Sequence, residues 1–198
     1  MARTSDPSAA TKKAWLTRAR NAGGGGAVQQ RGDWKTLERD DVDLNILRAW
    51  VAPDWRQAGL TKKYRDPMTE EGKLLTHAFK TLPVYKGVLH RGMGLSAADV
   101  RKLKVGGTFI VRKHSSATRE EGRARGYAES AAAGNSPAPP NGVLLTVENG
   151  TGRDYRKIDN SQREVILMAG TKLVITAIER VAFGDGKGHY LRVVARQE

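Results

Sequence analysis

The 198-residue chain has no cysteine, which excludes a disulfide framework, thiolate chemistry and any zinc site built on sulfur. That absence fits a reducing cytosol. Histidine is scarce too: the four residues at 77, 90, 114 and 189 are scattered and form no ligand cluster, so no metal is expected. No apolar run approaches bilayer length. The N-terminal segment has no apolar core of the kind a Sec signal requires. There is no internal repeat and nothing resembling a coiled coil. Acidic residues are few, 21 against 34 lysines and arginines.

That imbalance leaves a net charge of +13 and a pI near 10.2. Such a molecule binds polyanions, nucleic acid first and an acidic membrane surface second. Hydrophobic residues make up 39% of the chain, enough to close one core. The 22 glycines favour turns and short strands over a long helical bundle. Residues 1–32 are polar and basic and end in four consecutive glycines, Gly23 to Gly26. They read as a flexible arm or linker, with a short helix around Trp15, and residues 33–198 as one domain.

Between residues 33 and 82 the apolar spacing is helical. Leu44, Leu47 and Val51 share a face, and Pro53 breaks the pattern before Trp55. A clearer helix follows Asp66-Pro67: Thr69 caps it, Glu70 and Glu71 sit at the positive end of its dipole, and Leu74, Leu75, Ala78, Phe79 and Leu82 form its buried stripe. Beyond Pro83 the pattern turns to strands, expected at 84–91, 107–114, 143–148, 164–168, 171–183 and 189–195. Helical pieces lie at 96–103 and 118–133, a proline-rich loop at 135–141, and a glycine-rich hairpin joins the last two strands. Helices first and strands after predict an α+β fold.

Three clusters carry chemistry. In the first, His90-Arg91-Gly92 closes an apolar strand, setting a planar cation where backbone can approach a ligand; taken alone, an Arg at a strand end is usually just solvated. In the second, His114-Ser115-Ser116-Ala117-Thr118 leads into a helix. Thr118 with Glu121 forms a capping-box pattern that by itself accounts for Thr118, whereas Ser116 has no such explanation. The third is Gln162-Arg163-Glu164, opening the strand at 164–168. Residues two apart on a strand share a face, so Gln162 and Glu164 project together while Val165 and Leu167 point the other way. A solvated strand entry is the plainer alternative.

In this order and at these separations, the three resemble the Arg–Ser–Glu class of mono-ADP-ribosyltransferases, in its Gln-x-Glu form. The resemblance spans residues 40–196. The middle cluster departs from the family's Ser-Thr-Ser by reading Ser116-Ala117-Thr118, and the register Ser115-Ser116-Ala117 is the alternative.

The resemblance implies N-terminal helices, then a split, mixed and antiparallel β core around an NAD cleft. It implies NAD as co-substrate and no metal. Arg91 would pair with the dinucleotide phosphates, the Gly92 backbone would read the nicotinamide amide, and Ser116 would hold Glu164. Loss of nicotinamide leaves an oxocarbenium-like ribose, which a carboxylate stabilises in the transition state more than in the ground state. Glu164 takes that role.

The acceptor is read from position 162. Arginine needs a base to lose its proton, and the Gln162 amide cannot be one. Gln-x-Glu relatives modify asparagine, other non-arginine side chains or guanine, so arginine transfer is disfavoured. Tyr155, Arg156 and Lys157 precede the motif and Arg163 sits inside it. The basic residues would dock phosphates, and Tyr155 would stack on a base, touch a protein acceptor or pack the loop down. The expected acceptor is therefore nucleic acid or a nucleic-acid-associated protein. The expected setting is the cytoplasm of the producing cell or of a target cell, for a toxin or phage-type effector with an antitoxin or immunity protein as partner. The competing readings are a non-catalytic basic module that binds nucleic acid or a capsid-like assembly, and an NAD glycohydrolase on the same fold.

Overall fold

The structure, a computed structural model, describes Leu47 and residues 66–198 except 136–139, 159–162, 185 and 187. The arm expected at 1–32, most of the helical segment at 33–65, and Gln162 lie outside the described residues. The chain divides after Leu82 into two compact units.

In the first unit, helix α1 runs Glu70–Thr81. Thr69 caps it, its Oγ1 accepting the Gly72 N–H at 2.9 Å. The expected stripe is buried: Leu74, Leu75, Ala78, Phe79 and Leu82 are at most 5% exposed. The helix stops at Leu82, whose ψ of 150° is extended, because the following Pro83 disfavours the helical region for the residue before it.

The second unit is a seven-stranded mixed sheet. Its strands are β1 (Val84–Leu95), β2 (Thr108–Ile110), β3 (Ser115–Thr118), β4 (Asn141–Asp154), β5 (Glu164–Leu167), β6 (Lys172–Ala182) and β7 (His189–Gln197). Short helix α2 (Ala97–Val100) follows β1, and α3 (Glu121–Ala132) follows β3. The strand order is β1-β3-β5-β4-β7-β6-β2, with β1 also paired to β4. Strands β1, β3, β5 and β4 therefore close a ring, while β7, β6 and β2 continue from the other part of β4. All pairings are antiparallel except β4–β7.

One strand serves both parts because β4 bends. Its register against β1 shifts between Gly87 and Leu89, where Glu148 and Asn149 oppose Val88, and Asn149 takes a left-handed φ of 51°. A bulge of this kind sharpens the local twist. It also explains why β4 extends to Asp154, past the 143–148 expected: Gly150 to Asp154 form the arm that reaches β5.

Of the strand expected at 107–114 only Thr108 to Ile110 is strand, and a second strand that was not expected follows at Ser115 to Thr118. Residues Thr108 to Ile110 pair with β6, while Ser115 to Thr118 pair with β5. The chain crosses from one part of the sheet to the other between them. His114, 1% exposed, anchors that crossing by accepting the Ala169 N–H on Nδ1 at 3.2 Å.

One face of the sheet holds the apolar core, with Leu89, Ala117, Val143, Leu145, Val147, Val165, Leu167, Leu173, Ile175 and Val193 among its members. The other carries α3, which lies close because the contact is made of small residues. A Cβ on Gly92 would stand 1.9 Å from the Ala124 carbonyl oxygen, and one on Gly142 would stand 2.0 Å from that of Ala128.

Candidate active site

Strand pairing assembles the site. Glu164 lies opposite Thr118, Thr118 opposite His90, and His90 opposite Thr146. Directly paired residues point to one face, so four polar side chains cross four strands in a single row. Each is at most 8% exposed. Burying a carboxylate and three polar groups side by side costs free energy unless they are hydrogen-bonded, which marks the row as more than a strand end.

Three of its members, His90, Thr118 and Thr146, were not among the expected site residues. His90 makes a hydrogen bond between Nδ1 and Thr146 Oγ1 at 3.2 Å. Its pKa falls below the usual 6.5 chiefly through burial; nearby Glu121 works against the fall and Arg192 adds to it. The imidazole is therefore neutral at pH 7. Thr118 is not the helix cap its spacing suggested. The N-cap of α3 is Glu120, with no side-chain cap bond, and Thr118 Oγ1 instead accepts the Glu120 N–H at 3.1 Å. The chain stays extended through Thr118 because β3 pairs with β5 on one side and touches β1 on the other.

The two serines of the middle cluster separate by face. Ser116 pairs with Ile166 and shares the face of Thr118 and Glu164, standing diagonal to Glu164. Ser115 falls on the opposite face, and its hydroxyl donates to the Lys113 carbonyl at 2.8 Å. Val165 and Leu167 point into the apolar core, opposite to Glu164, as alternation predicts.

Arg91 stands where the sheet splits. Strands β1 and β3 share one register pair, His90 with Thr118, and then diverge. In that gap the Arg91 guanidinium donates from Nη1 to the Ser116 carbonyl. Gly92, next along β1, is required for the approach of α3.

The acceptor-side residues fare differently. Tyr155, in a 3-10 turn at Tyr155–Lys157, is 0% exposed. The reading in which it stacks on a base is thus corrected: the ring packs the turn down. Arg156 is tied to Asp154 through contacts of 2.5 to 3.0 Å, and those bonds hold the Asp154 carboxyl below the usual carboxylate range. Arg163 is exposed and ion-paired to Glu120.

A split sheet of this topology has solved counterparts. The ADP-ribosyltransferase Vis, a toxin from Vibrio splendidus, in complex with the M6 inhibitor matches with a TM-score of 0.60 at 16% identity, covering 98% of this chain and 87% of that one. Exoenzyme S from Pseudomonas aeruginosa, solved with human 14-3-3 protein beta and carba-NAD, gives 0.57 at 15% identity, covering 94% and 88%. The ADP-ribosyltransferase HopU1 of Pseudomonas syringae pv. tomato DC3000 gives 0.56 at 16% identity, covering 81% and 78%.

The fold is that of the ADP-ribosyltransferases. It is the α+β architecture that the three motifs implied. No known family profile matches the sequence, and no curated protein does. The likeness therefore lies in the path of the chain.

Proposed function

We propose that this protein is an NAD-dependent mono-ADP-ribosyltransferase, a toxin or effector. The observation that carries the reading is the row of buried polar residues ending at Glu164, beside Arg91 in the split between β1 and β3, on this fold. NAD supplies the activated glycosidic bond. Glu164 presents a carboxylate to the sugar as positive charge grows there, and its burial strengthens that interaction because water does not screen it. Ser116 and Thr118 orient the carboxylate from β3. Arg91 offers a planar cation to the phosphates, and the Gly92 backbone lies on the edge of β1 that, among the described residues, no strand covers beyond His90. The donor set suits a dinucleotide: a fixed guanidinium, a buried carboxylate and an open strand edge.

For the acceptor we favour nucleic acid or a protein bound to it, over arginine. Support comes from the amide at Gln162 and from the net charge of +13. With Arg156 and Arg163 engaged by acidic partners, docking falls to other exposed cations, such as Arg125 on α3. We place the transferase domain at residues 33–198, the basic arm at 1–32, and its action in the cytoplasm of the producer or a target cell, with an antitoxin or immunity protein as partner.

The test is nicotinamide release from NAD by wild type and Glu164→Ala, with and without RNA, DNA and cell lysate. Release should fall about 10²–10³-fold in the variant and rise with one nucleic acid in wild type. A rise with lysate protein alone would assign a protein acceptor. Release indifferent to every acceptor would leave a glycohydrolase, and none at all, with nucleic acid still bound, a binding module.

A further inference from the structure

Arg163 departs from ordinary backbone geometry. Its φ is +43°, a region uncommon outside glycine, asparagine and aspartate. The guanidinium pairs with the carboxylate of Glu120. Glu120 is the N-cap of α3, and its own N–H donates to Thr118, the residue opposite Glu164. Two links therefore join the start of β5 to the junction of β3 and α3: the ladder between Thr118 and Glu164, and the ion pair between Glu120 and Arg163.

Glu164 is the first residue of β5. Strand ends fray, because on one side they lack the neighbouring pair that holds an interior residue. A carboxylate that must face a developing charge is poorly served there. The ion pair stands where the missing pair would be, one residue upstream of Glu164.

We propose that Arg163 is a positioning residue: its ion pair with Glu120 clamps the start of β5 and fixes the carboxylate of Glu164. Arg163 thereby leaves the acceptor surface to which its charge first assigned it. The proposal rests on the transferase reading and adds a requirement to it.

The experiment is steady-state nicotinamide release by the full chain, comparing wild type with Arg163→Ala, Glu120→Ala, the double variant, Arg163→Lys, Arg163→Gly and the exchange Arg163→Glu with Glu120→Arg. Each single alanine should lower kcat about tenfold with KM for NAD changed less than about twofold, the pattern of an interaction that matters in the transition state. The double variant should be no worse than either single one, since both remove the same link. Arg163→Lys and the charge exchange should recover to within about threefold of wild type. Arg163→Gly, which relaxes the left-handed backbone, should melt no lower than wild type and still lose kcat.

Wild-type kcat in Arg163→Ala, additive losses in the double variant, or a rise in KM alone would overturn the clamp; the last would return Arg163 to substrate docking. If wild type and Glu164→Gln are equally inactive, the transferase reading has failed, and the clamp with it. An active wild type with unaltered Arg163 variants fails the clamp alone.

Discussion

Gly92 lies on β1 beneath α3 and Gly126 on the exposed face of α3, and the same substitution should move stability in opposite directions. A methyl group on Gly92 meets the Ala124 carbonyl oxygen at 1.9 Å, the Tyr127 Cβ at 2.6 Å and the Ala128 nitrogen at 2.9 Å. Two of these atoms are backbone and the third is a Cβ, so no flexible tip can swing aside. Helix α3 must retreat until the closest contact relaxes to the ordinary 3.4 Å or more. That retreat pulls Ala124 and Ala128 away from Leu144 and Tyr190, with which they form the helix-side core. Overpacking of this kind costs about 1–3 kcal/mol, and the involvement of backbone puts Gly92→Ala near the upper end. For a chain of this size each kcal/mol lowers Tm by roughly 2–4 °C, so the expected fall is about 6–12 °C. Gly126, by contrast, sits within α3, and among the described residues no atom beyond the helix's own backbone lies inside 4 Å of its would-be Cβ. Gly126→Ala removes unfolded-chain entropy and should raise stability by about 0.5–1 kcal/mol. Thermal melts followed by far-UV circular dichroism read both. Equal melting of Gly92→Ala and wild type, or a comparable fall in both variants, would refute the packing argument.

Tyr155→Ala should destabilise by about 3–5 kcal/mol, as large buried rings do, measured by urea unfolding; a loss under 1 kcal/mol would mean the ring is not packed as described. His90 makes stability depend on pH. Its folded pKa lies below the unfolded value, so the unfolded chain takes up the proton first. Stability is complete above about pH 6.5 and declines as pH falls through the folded pKa. His90→Asn should flatten that slope in urea titrations between pH 7 and 5, and an unchanged slope would assign it to other groups.

Much of the fold was legible in the sequence because its periodicities are clean. The α1 stripe from Leu74 to Leu82 and the alternation at Val165 and Leu167 need only local rules. What was hidden depends on pairing. Nothing local says that the strand expected at 107–114 stops at Ile110 and a new one starts at Ser115, because that break follows from β2 joining β6 while β3 joins β5. The same holds at Thr118, where a capping-box spacing and a strand register compete for one residue and tertiary pairing wins. His90 was passed over beside the conspicuous Arg91, although a histidine inside an apolar run was signal enough to ask what satisfies it. Tyr155 lay in a segment that reads as polar loop, and the bulge that turns Gly150 to Asp154 into strand also buries the ring that follows.

Arg91 unites structure and chemistry in a way that decides how its variants should be read. After the His90–Thr118 pair, an antiparallel ladder would continue along β3, and the Ser116 carbonyl would find a partner on β1. The strands part, and the Arg91 guanidinium takes that carbonyl instead. A fully buried carbonyl left without a donor costs about 1–3 kcal/mol and the half-buried one of Ser116 less, so the side chain helps fasten β3 at the point where Ser116 and Thr118 face Glu164. Arg91→Met would remove both the cation and the fastening, and a loss of activity could not be assigned to either. Arg91→Lys keeps the charge and discards the planar fork. If Arg91 served the phosphates alone, lysine would raise KM for NAD and spare kcat. Because the fork also holds β3, Arg91→Lys should lower kcat as well, by about tenfold for a displaced carboxylate. A pure KM effect would show that the contact with Ser116 is incidental to the reaction.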